Sequence, residues 1–272
     1  MFRRRPSATS LDTRFDALFA GTLRRYSSAL TGHTTAFDAL HRRDCANTAR
    51  PRPVRSCAGF PHGAGMIVSH LHRFIFVPIP KTGTHSVRQA LREHLGPDDI
   101  EQVGLFVNKR FPYADLAAIR HGHFSVAQVR PYLGEETVSS YFKFGFVRNP
   151  FDRFVSYCAF MTRQHGAFDR DPQGTMRRIL FEMRPMDHVH FQTQASLLTD
   201  ERGELDVDEV GRVEDMQACY DRICERIGIP TRALDKVNSS RRGDYRQYYD
   251  QALIDGVAEL YRRDFELFGY SF

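Results

Sequence analysis

The chain has no apolar run near the roughly 18 residues that a membrane-spanning helix requires. Its Arg-rich N-terminal region also lacks the apolar centre of a secretory signal. These two absences predict a protein without a membrane span. The low, odd number of cysteines favours reduced thiols, so we expect a cytoplasmic location.

Cysteine is scarce, and its spacing excludes the usual zinc motifs. The five cysteines form no Cys-x-x-Cys pair. An odd number at low density favours reduced thiols over a disulfide framework. Neither a structural metal nor a disulfide scaffold is predicted.

Lysine and glutamate are both absent from residues 1–65, which contain eleven Arg and four Asp. This segment has a formal charge of +7, whereas the whole chain has +5. The rest of the chain is therefore slightly acidic. The basic balance therefore does not predict a nucleic-acid partner. We expect 1–65 to be a disordered extension, with a mitochondrial-type presequence or a natural start at Met66 as alternatives.

From residue 66 to residue 272, strand and helix patterns alternate. Phe74–Ile79 and Tyr141–Val147 read as buried strands, each followed by a helical pattern. Further helices are predicted near 176–183, 188–198, 216–227 and 251–268. This alternation predicts one α/β domain with a central parallel sheet flanked by helices.

The loop after the first strand, Pro80–Ser86, combines Lys81, Gly83 and three hydroxyl side chains at a helix start. Unpaired amides and the helix dipole favour an anion there, so the loop predicts a phosphate cradle. A triphosphatase loop has Lys directly after its second Gly, whereas Lys81 precedes Gly83. An ordinary strand-to-helix turn is the alternative.

A second phosphate site is predicted after the next strand. Arg148 lies at the strand end, where open α/β sheets bind ligands, and Ser156 lies on the following helix. An Arg fork and a hydroxyl together suit a phosphate. Alternatively, Arg148 forms a structural salt bridge and Ser156 is a helix-surface residue.

These two segments resemble the loops of sulfotransferases that use 3′-phosphoadenosine 5′-phosphosulfate (PAPS). The resemblance implies a three-layer fold related to the P-loop nucleotide triphosphatases, with no metal required. It implies that Arg148 and Ser156 bind the 3′-phosphate. Contacts to the 5′-phosphosulfate are implied for Lys81, Thr82, Gly83, Thr84, His85 and Ser86.

His121-Gly122-His123 is similar to the His-Gly-His segment of the uronyl 2-O-sulfotransferases of heparan and dermatan sulfate, a branch with many bacterial relatives. An acceptor alcohol needs a base to remove its proton, and histidine titrates near neutral pH. The resemblance implies that His123 is this base, that His121 assists it, and that Lys81 stabilises the leaving group. Surface or packing histidines in a turn are the alternative.

Two later segments hold weaker candidates. His190 and Gln194 are interpreted as acceptor contacts, with a partly exposed helix start as the alternative. Ser239 and Arg241 lie in a polar loop that is expected to close over the nucleotide, or that is simply solvated.

The sequence thus predicts a PAPS-dependent O-sulfotransferase. A carbohydrate acceptor follows from the family resemblance alone. A nucleotide or small-molecule kinase is one alternative. A catalytically silent nucleotide-binding protein of the same fold is the other.

Overall fold

The computed structural model describes residues 65–101, 113, 115–116, 121–235 and 243–272. Most of the predicted extension lies outside these residues, as do Ser239 and Arg241. Within the described segments, no helix has both the length and the apolar character needed to cross a bilayer.

A five-stranded sheet in the order β3-β1-β2-β4-β5 forms the centre of the described structure. β2 pairs in parallel with β4, and β4 with β5, whereas β1 is antiparallel to both β2 and β3. The predicted α/β fold is confirmed, with two short antiparallel strands added beside the parallel ones. The strands are β1 (Ile67–Ser69), β2 (Phe74–Val77), β3 (Ile100–Glu101), β4 (Phe142–Val147) and β5 (Glu209–Arg212).

Side chains of β2 alternate between two separate cores. Phe74 and Phe76 join an apolar cluster on one face of the sheet, and Ile75 and Val77 join the cluster on the other. All four are fully buried, which fits a strand covered on both faces. Helices contribute to both clusters, so the predicted three-layer arrangement is present.

The described helices flank this sheet. They are α1 (Thr84–Arg92), α2 (Val126–Leu133), α3 (Glu135–Ser140), α4 (Pro150–Thr162), α5 (Ala167–Arg170), α6 (Pro172–Arg177), α7 (Ala195–Leu198), α8 (Met216–Ile227), α9 (Gln251–Leu260) and α10 (Arg262–Phe268). A π-helical turn continues α6 over Arg178–Met183, and 3₁₀ turns cover Val213–Asp215 and Tyr245–Tyr248.

The helix predicted near 188–198 is wrong over most of its length, since α7 begins only at Ala195. The backbone amides of Gln194 and Ala195 donate to the Asp264 carboxylate at 3.0 and 2.8 Å. These amides are therefore not available to carbonyls four residues earlier, as a continuous helix would require.

The strand predicted over Phe74–Ile79 is β2, and it is shorter than predicted because it ends at Val77. Pro78 and Pro80 follow, and proline has no amide to donate to a sheet ladder. The chain therefore leaves the sheet as an irregular loop before α1. Because β2, β4 and β5 are parallel, this loop emerges at the same sheet edge as Arg148 and Glu214.

Candidate active site

The loop between β2 and α1 has a backbone shaped for an anion. Lys81 and Gly83 have φ angles of 69° and 68°, on either side of Thr82. Left-handed residues that alternate with others turn successive amides toward one side and form an anion-binding concavity. No side chain caps the first turn of α1, which begins at Thr84. The positive end of the α1 dipole therefore adds to the positive potential at the loop.

The three hydroxyl side chains of this loop are buried. Thr82 is fully buried, and its hydroxyl donates to the Ile79 carbonyl at 3.0 Å. The Thr82 side chain therefore helps to hold the loop in shape. Thr84 and Ser86 are also largely buried, at 4 % and 7 % exposure. Contacts from this loop to a 5′-phosphosulfate stay a prediction.

Arg148 connects this loop to α4. Its Nε and NH2 groups donate to the same Asp152 carboxylate oxygen at 2.7 and 2.6 Å. Its NH1 group donates to the Lys81 carbonyl at 3.4 Å. The salt-bridge alternative is therefore realised, yet a guanidinium has five N–H donors, so further donors remain for a phosphate. Ser156 lies on α4 one turn after Asp152 and is buried, at 5 % exposure.

A cavity of about 360 Å³ lies at the same sheet edge, where Asn149 and Asp152, the neighbour and the partner of Arg148, line it. Its lining combines acidic, basic and aromatic side chains. The lining residues are Asn149, Asp152, Arg212, Glu214, Tyr245, Arg246, Gly269, Tyr270 and Ser271.

His123 is buried next to the loop, and its tautomer is fixed. Its Nδ1 lies 2.8 Å from the Pro78 carbonyl oxygen, which can only accept, so Nδ1 carries the proton. Nε2 of the neutral ring therefore keeps a lone pair. Burial lowers the pKa of His123 to about 3, and the positive charge of Arg153 acts in the same direction.

Three further histidines surround His123. His190 meets it edge-on with ring centroids 5.1 Å apart, and His121 lies 6.2 Å away. His188 stacks on His190 at 4.9 Å. Burial lowers the pKa of all three rings, that of His188 to about 4. In the described part of the chain, no group of three or more acidic, histidine or cysteine side chains is arranged to hold a metal.

Gln194 does not line this cluster, and its interpretation as an acceptor contact is wrong. It is fully buried. Its side-chain oxygen accepts from the Arg148 amide at 2.9 Å, and its side-chain amide donates to the Arg148 carbonyl at 2.9 Å. Gln194 therefore braces the turn that presents Arg148.

Sequence reasoning missed two residues of α4. Arg153 is 1 % exposed, and it donates to the Pro80 and His190 carbonyls at 3.1 and 3.2 Å. Phe160 lies under Lys81, with Nζ 4.1 Å from its ring centroid. The one sequence signal for these residues was their position on the helix that follows the strand before Arg148 and that also carries Ser156.

One known family matches this chain. The model described as "Sulfotransferase family" covers residues 64–271, which include both predicted phosphate loops and all four clustered histidines. Comparison with curated proteins and with solved structures gave no match. Since the match spans well over half of the 272 residues, the chain belongs to the sulfotransferase family.

Proposed function

We propose that this sulfotransferase moves a sulfuryl group from PAPS to an acceptor hydroxyl. The observation that carries the proposal is the meeting of three parts at the carboxyl edge of the parallel strands. These are the left-handed loop with Lys81, the Arg148 fork beside a polar cavity, and His123 with an unprotonated Nε2.

The residues present fit a ligand with two separate phosphate ends. The amides around Gly83 and the Lys81 ammonium would hold the 5′-phosphosulfate end. The free donors of Arg148, with the Ser156 hydroxyl, would hold the 3′-phosphate. The NH1 contact of Arg148 to the Lys81 carbonyl couples the two ends. Because the chain lacks the triphosphatase loop, a kinase is the weaker alternative.

PAPS, when bound, would supply an activated sulfuryl group for the acceptor oxygen to attack, with the 5′-phosphate oxygen as the leaving group. His123 Nε2 takes the proton from the acceptor hydroxyl, so that the attacking oxygen gains nucleophilicity. Lys81 stabilises the negative charge that grows on the oxygen left behind. His121 sits beside His123 and shapes its surroundings.

The low pKa of His123 sets a condition on this role. A buried ring that resists protonation is ready as an acceptor at neutral pH but becomes a costly cation once it has the proton. An anionic ligand nearby offsets that cost. We therefore expect His123 to act as a base only after the cofactor has filled the loop.

We also propose a carbohydrate acceptor and a cytoplasmic location. Support for the acceptor is the likeness of His121-Gly122-His123 to the uronyl 2-O-sulfotransferases. The half-buried His190 lies edge-on to His123 and is a proposed acceptor contact.

The test combines binding and transfer. Adenosine 3′,5′-bisphosphate should raise the unfolding temperature, and ATP should not. At a hundredfold excess over Kd, the bisphosphate should add about 2.7 kcal/mol to the free energy of unfolding. Mass-detected sulfate transfer from PAPS should then appear within a panel of glycans, lipids and small alcohols. No stabilisation at saturating bisphosphate contradicts the cofactor proposal, whereas stabilisation by ATP supports the kinase.

His123→Gln separates binding from chemistry. This variant should lose transfer by roughly 10²-fold or more, because general base catalysis contributes about 10²–10⁴-fold, while bisphosphate affinity stays near that of the unchanged chain. An unchanged rate would contradict the assignment of the base. Tight binding without any transfer by the natural sequence would favour the silent-protein alternative.

A further inference from the structure

Phe160 occupies a specific place on α4. Helical spacing aligns it with Asp152 and Ser156, at i, i+4 and i+8, along one stripe of the helix. The first of these pairs with Arg148, and the second is a proposed phosphate ligand. Phe160 therefore lies on the same stripe as the carboxylate that pairs with Arg148 and the proposed phosphate ligand.

The ring of Phe160 contacts three groups of the site. Lys81 Nζ lies 4.1 Å and the Arg163 guanidinium carbon 4.3 Å from its centroid, within the range of cation–π attraction. The His190 ring lies parallel to it, at 5.7 Å and an interplanar angle of 6°. One aromatic ring thus joins the loop lysine to the histidine cluster.

Lysine has a flexible four-carbon stem and a compact charge, so its ammonium needs a partner to stay in one place. The left-handed backbone of Lys81 sets only where the stem begins. The ring face of Phe160 supplies an electrostatic partner for the ammonium that does not compete for its N–H donors. Phe160 is half-buried, so this attraction is partly shielded from water.

We propose that Phe160 is a positioning residue, whose ring face holds the Lys81 ammonium beside His190 and so presents it to the oxygen from which sulfur departs. This proposal rests on the proposed function for its kinetic consequence. Its physical content, the contact between ring and ammonium, does not depend on it.

Three variants test the proposal. Phe160→Leu keeps an apolar side chain but removes the ring face, and Phe160→Tyr keeps the face. Phe181→Leu is the matched control, since Phe181 is 46 % exposed on the π-helical turn. In sulfate transfer, Phe160→Leu should lower kcat about three- to tenfold, with acceptor KM within about twofold. Phe160→Tyr should restore most of kcat, and Phe181→Leu should match the unchanged chain.

The second readout is spectroscopic and needs no turnover. The chain has four lysines, at positions 81, 109, 143 and 236, so NMR spectra of ε-¹³C-lysine protein are simple. Lys81→Arg identifies the Lys81 signal by its loss. Ring current should shift the ε-methylene protons of Lys81 upfield in the natural sequence and in Phe160→Tyr, and Phe160→Leu should abolish that shift.

The outcomes divide clearly. A Lys81 signal that does not move in Phe160→Leu overturns the proposal, even if kcat falls. An unchanged kcat in a folded Phe160→Leu also overturns it, as does a loss that Phe160→Tyr fails to restore. If the natural sequence transfers no sulfate, the proposed function fails, and the Lys81 signal alone decides whether the ring holds the ammonium.

Discussion

Two residues of the loop before α1 have left-handed backbones, and only one of them is glycine. For Lys81, a φ of 69° costs about 1–2 kcal/mol relative to a right-handed conformation. Such strain persists where surrounding contacts fix the backbone, and it concentrates at ligand sites. Here the Lys81 carbonyl accepts from Arg148, and the neighbouring Thr82 is anchored to Ile79. These contacts hold the loop amides in place before any ligand arrives.

Gly83→Ala should weaken both stability and binding. Its φ of 68° is strained for any side chain, and an added Cβ would lie 2.5 Å from Met216 Cε. We expect a loss of about 1–2 kcal/mol in unfolding free energy. The displaced loop should also bind adenosine 3′,5′-bisphosphate less tightly. Chemical denaturation and isothermal titration measure the two effects.

The matched control for that change is Gly228→Ala. Gly228 has a φ of 71° at the end of α8, and an added Cβ there meets nothing within 4 Å. It should show the backbone cost without the loss of affinity. If both variants bound the bisphosphate as tightly as the unchanged chain, the loop around Gly83 would not be the anion site.

At the scale of elements, α4 organises the site. Its first turn follows directly from β4 through Asn149, whose side chain caps the helix by accepting from the Phe151 amide. Proline at the first helical position and Asp152 in the first turn both favour this start. From there, Arg153 and Phe160 reach the loop before α1 and the histidine segment. One helix thus fixes the geometry of two distant segments.

Arg153→Lys tests this role of α4. The Arg153 guanidinium donates from two separate nitrogens to the Pro80 and His190 carbonyls. A lysine has one nitrogen and cannot reach both carbonyls in the same way. Leaving one buried carbonyl unpaired should cost about 1–3 kcal/mol in unfolding free energy. Sulfate transfer should fall as well, because both the loop and His190 lose their support.

The control is Arg170→Lys, which affects a single exposed bond to the His165 carbonyl. A surface change of this kind should stay within about 0.5 kcal/mol. Equal stability and equal transfer rates in the two variants would contradict a bracing role for Arg153. Thermal and chemical denaturation of each variant give the comparison.

Sequence patterns predicted well those helices and strands whose own residues show a clear apolar pattern. α8 matches its predicted bounds, and β4 is one residue shorter than predicted, because long apolar periodicity marks both. β1 and β3, with three and two residues, are too short to carry a period. Their antiparallel pairing depends on partners elsewhere in the chain, which local patterns do not contain.

The site divides in the same way. Lys81, Arg148 and His123 stand in compact motifs, so sequence alone singled them out. Gln194 and Arg153 act through backbone carbonyls and amides that lie 37 to 73 residues away. Nothing in their own neighbourhood indicates those partners. Gln194 was therefore interpreted as an acceptor contact, although it is a buried brace.

At the scale of the whole molecule, the four clustered histidines are neutral in the folded protein, and this makes its stability depend on pH. Burial lowers the pKa of His121, His123, His188 and His190. The Arg153 guanidinium lowers the pKa of His123 and His190 further, and the Lys81 ammonium does the same at His190. In the unfolded chain these rings titrate near the ordinary value of about 6.5. Acid therefore protonates the unfolded state before the folded one.

This difference predicts that stability falls as the pH drops from about 7.5 to 5. Below about pH 6.5 these rings bind protons in the unfolded state. In the folded state, protonation begins only near pH 4 at His188 and near pH 3 at His123. Each such ring contributes a slope of up to about 1.4 kcal/mol per pH unit. Urea denaturation at several pH values measures that slope, and paired carboxylates contribute little above about pH 5.

His123→Gln should make that slope shallower by about one proton, because the substituted side chain does not titrate in either state. Phe181→Leu is the control: it changes no titratable group, lies on the exposed π-helical turn, and should leave the slope unchanged. Saturating adenosine 3′,5′-bisphosphate should reduce the slope of the natural sequence, since anionic charge raises the pKa of the buried rings in the folded state. A flat stability profile between pH 7.5 and 5 would contradict neutral burial of the cluster. An unaltered slope with bound bisphosphate would mean that the anion lies away from His123, and the base would have to be sought elsewhere.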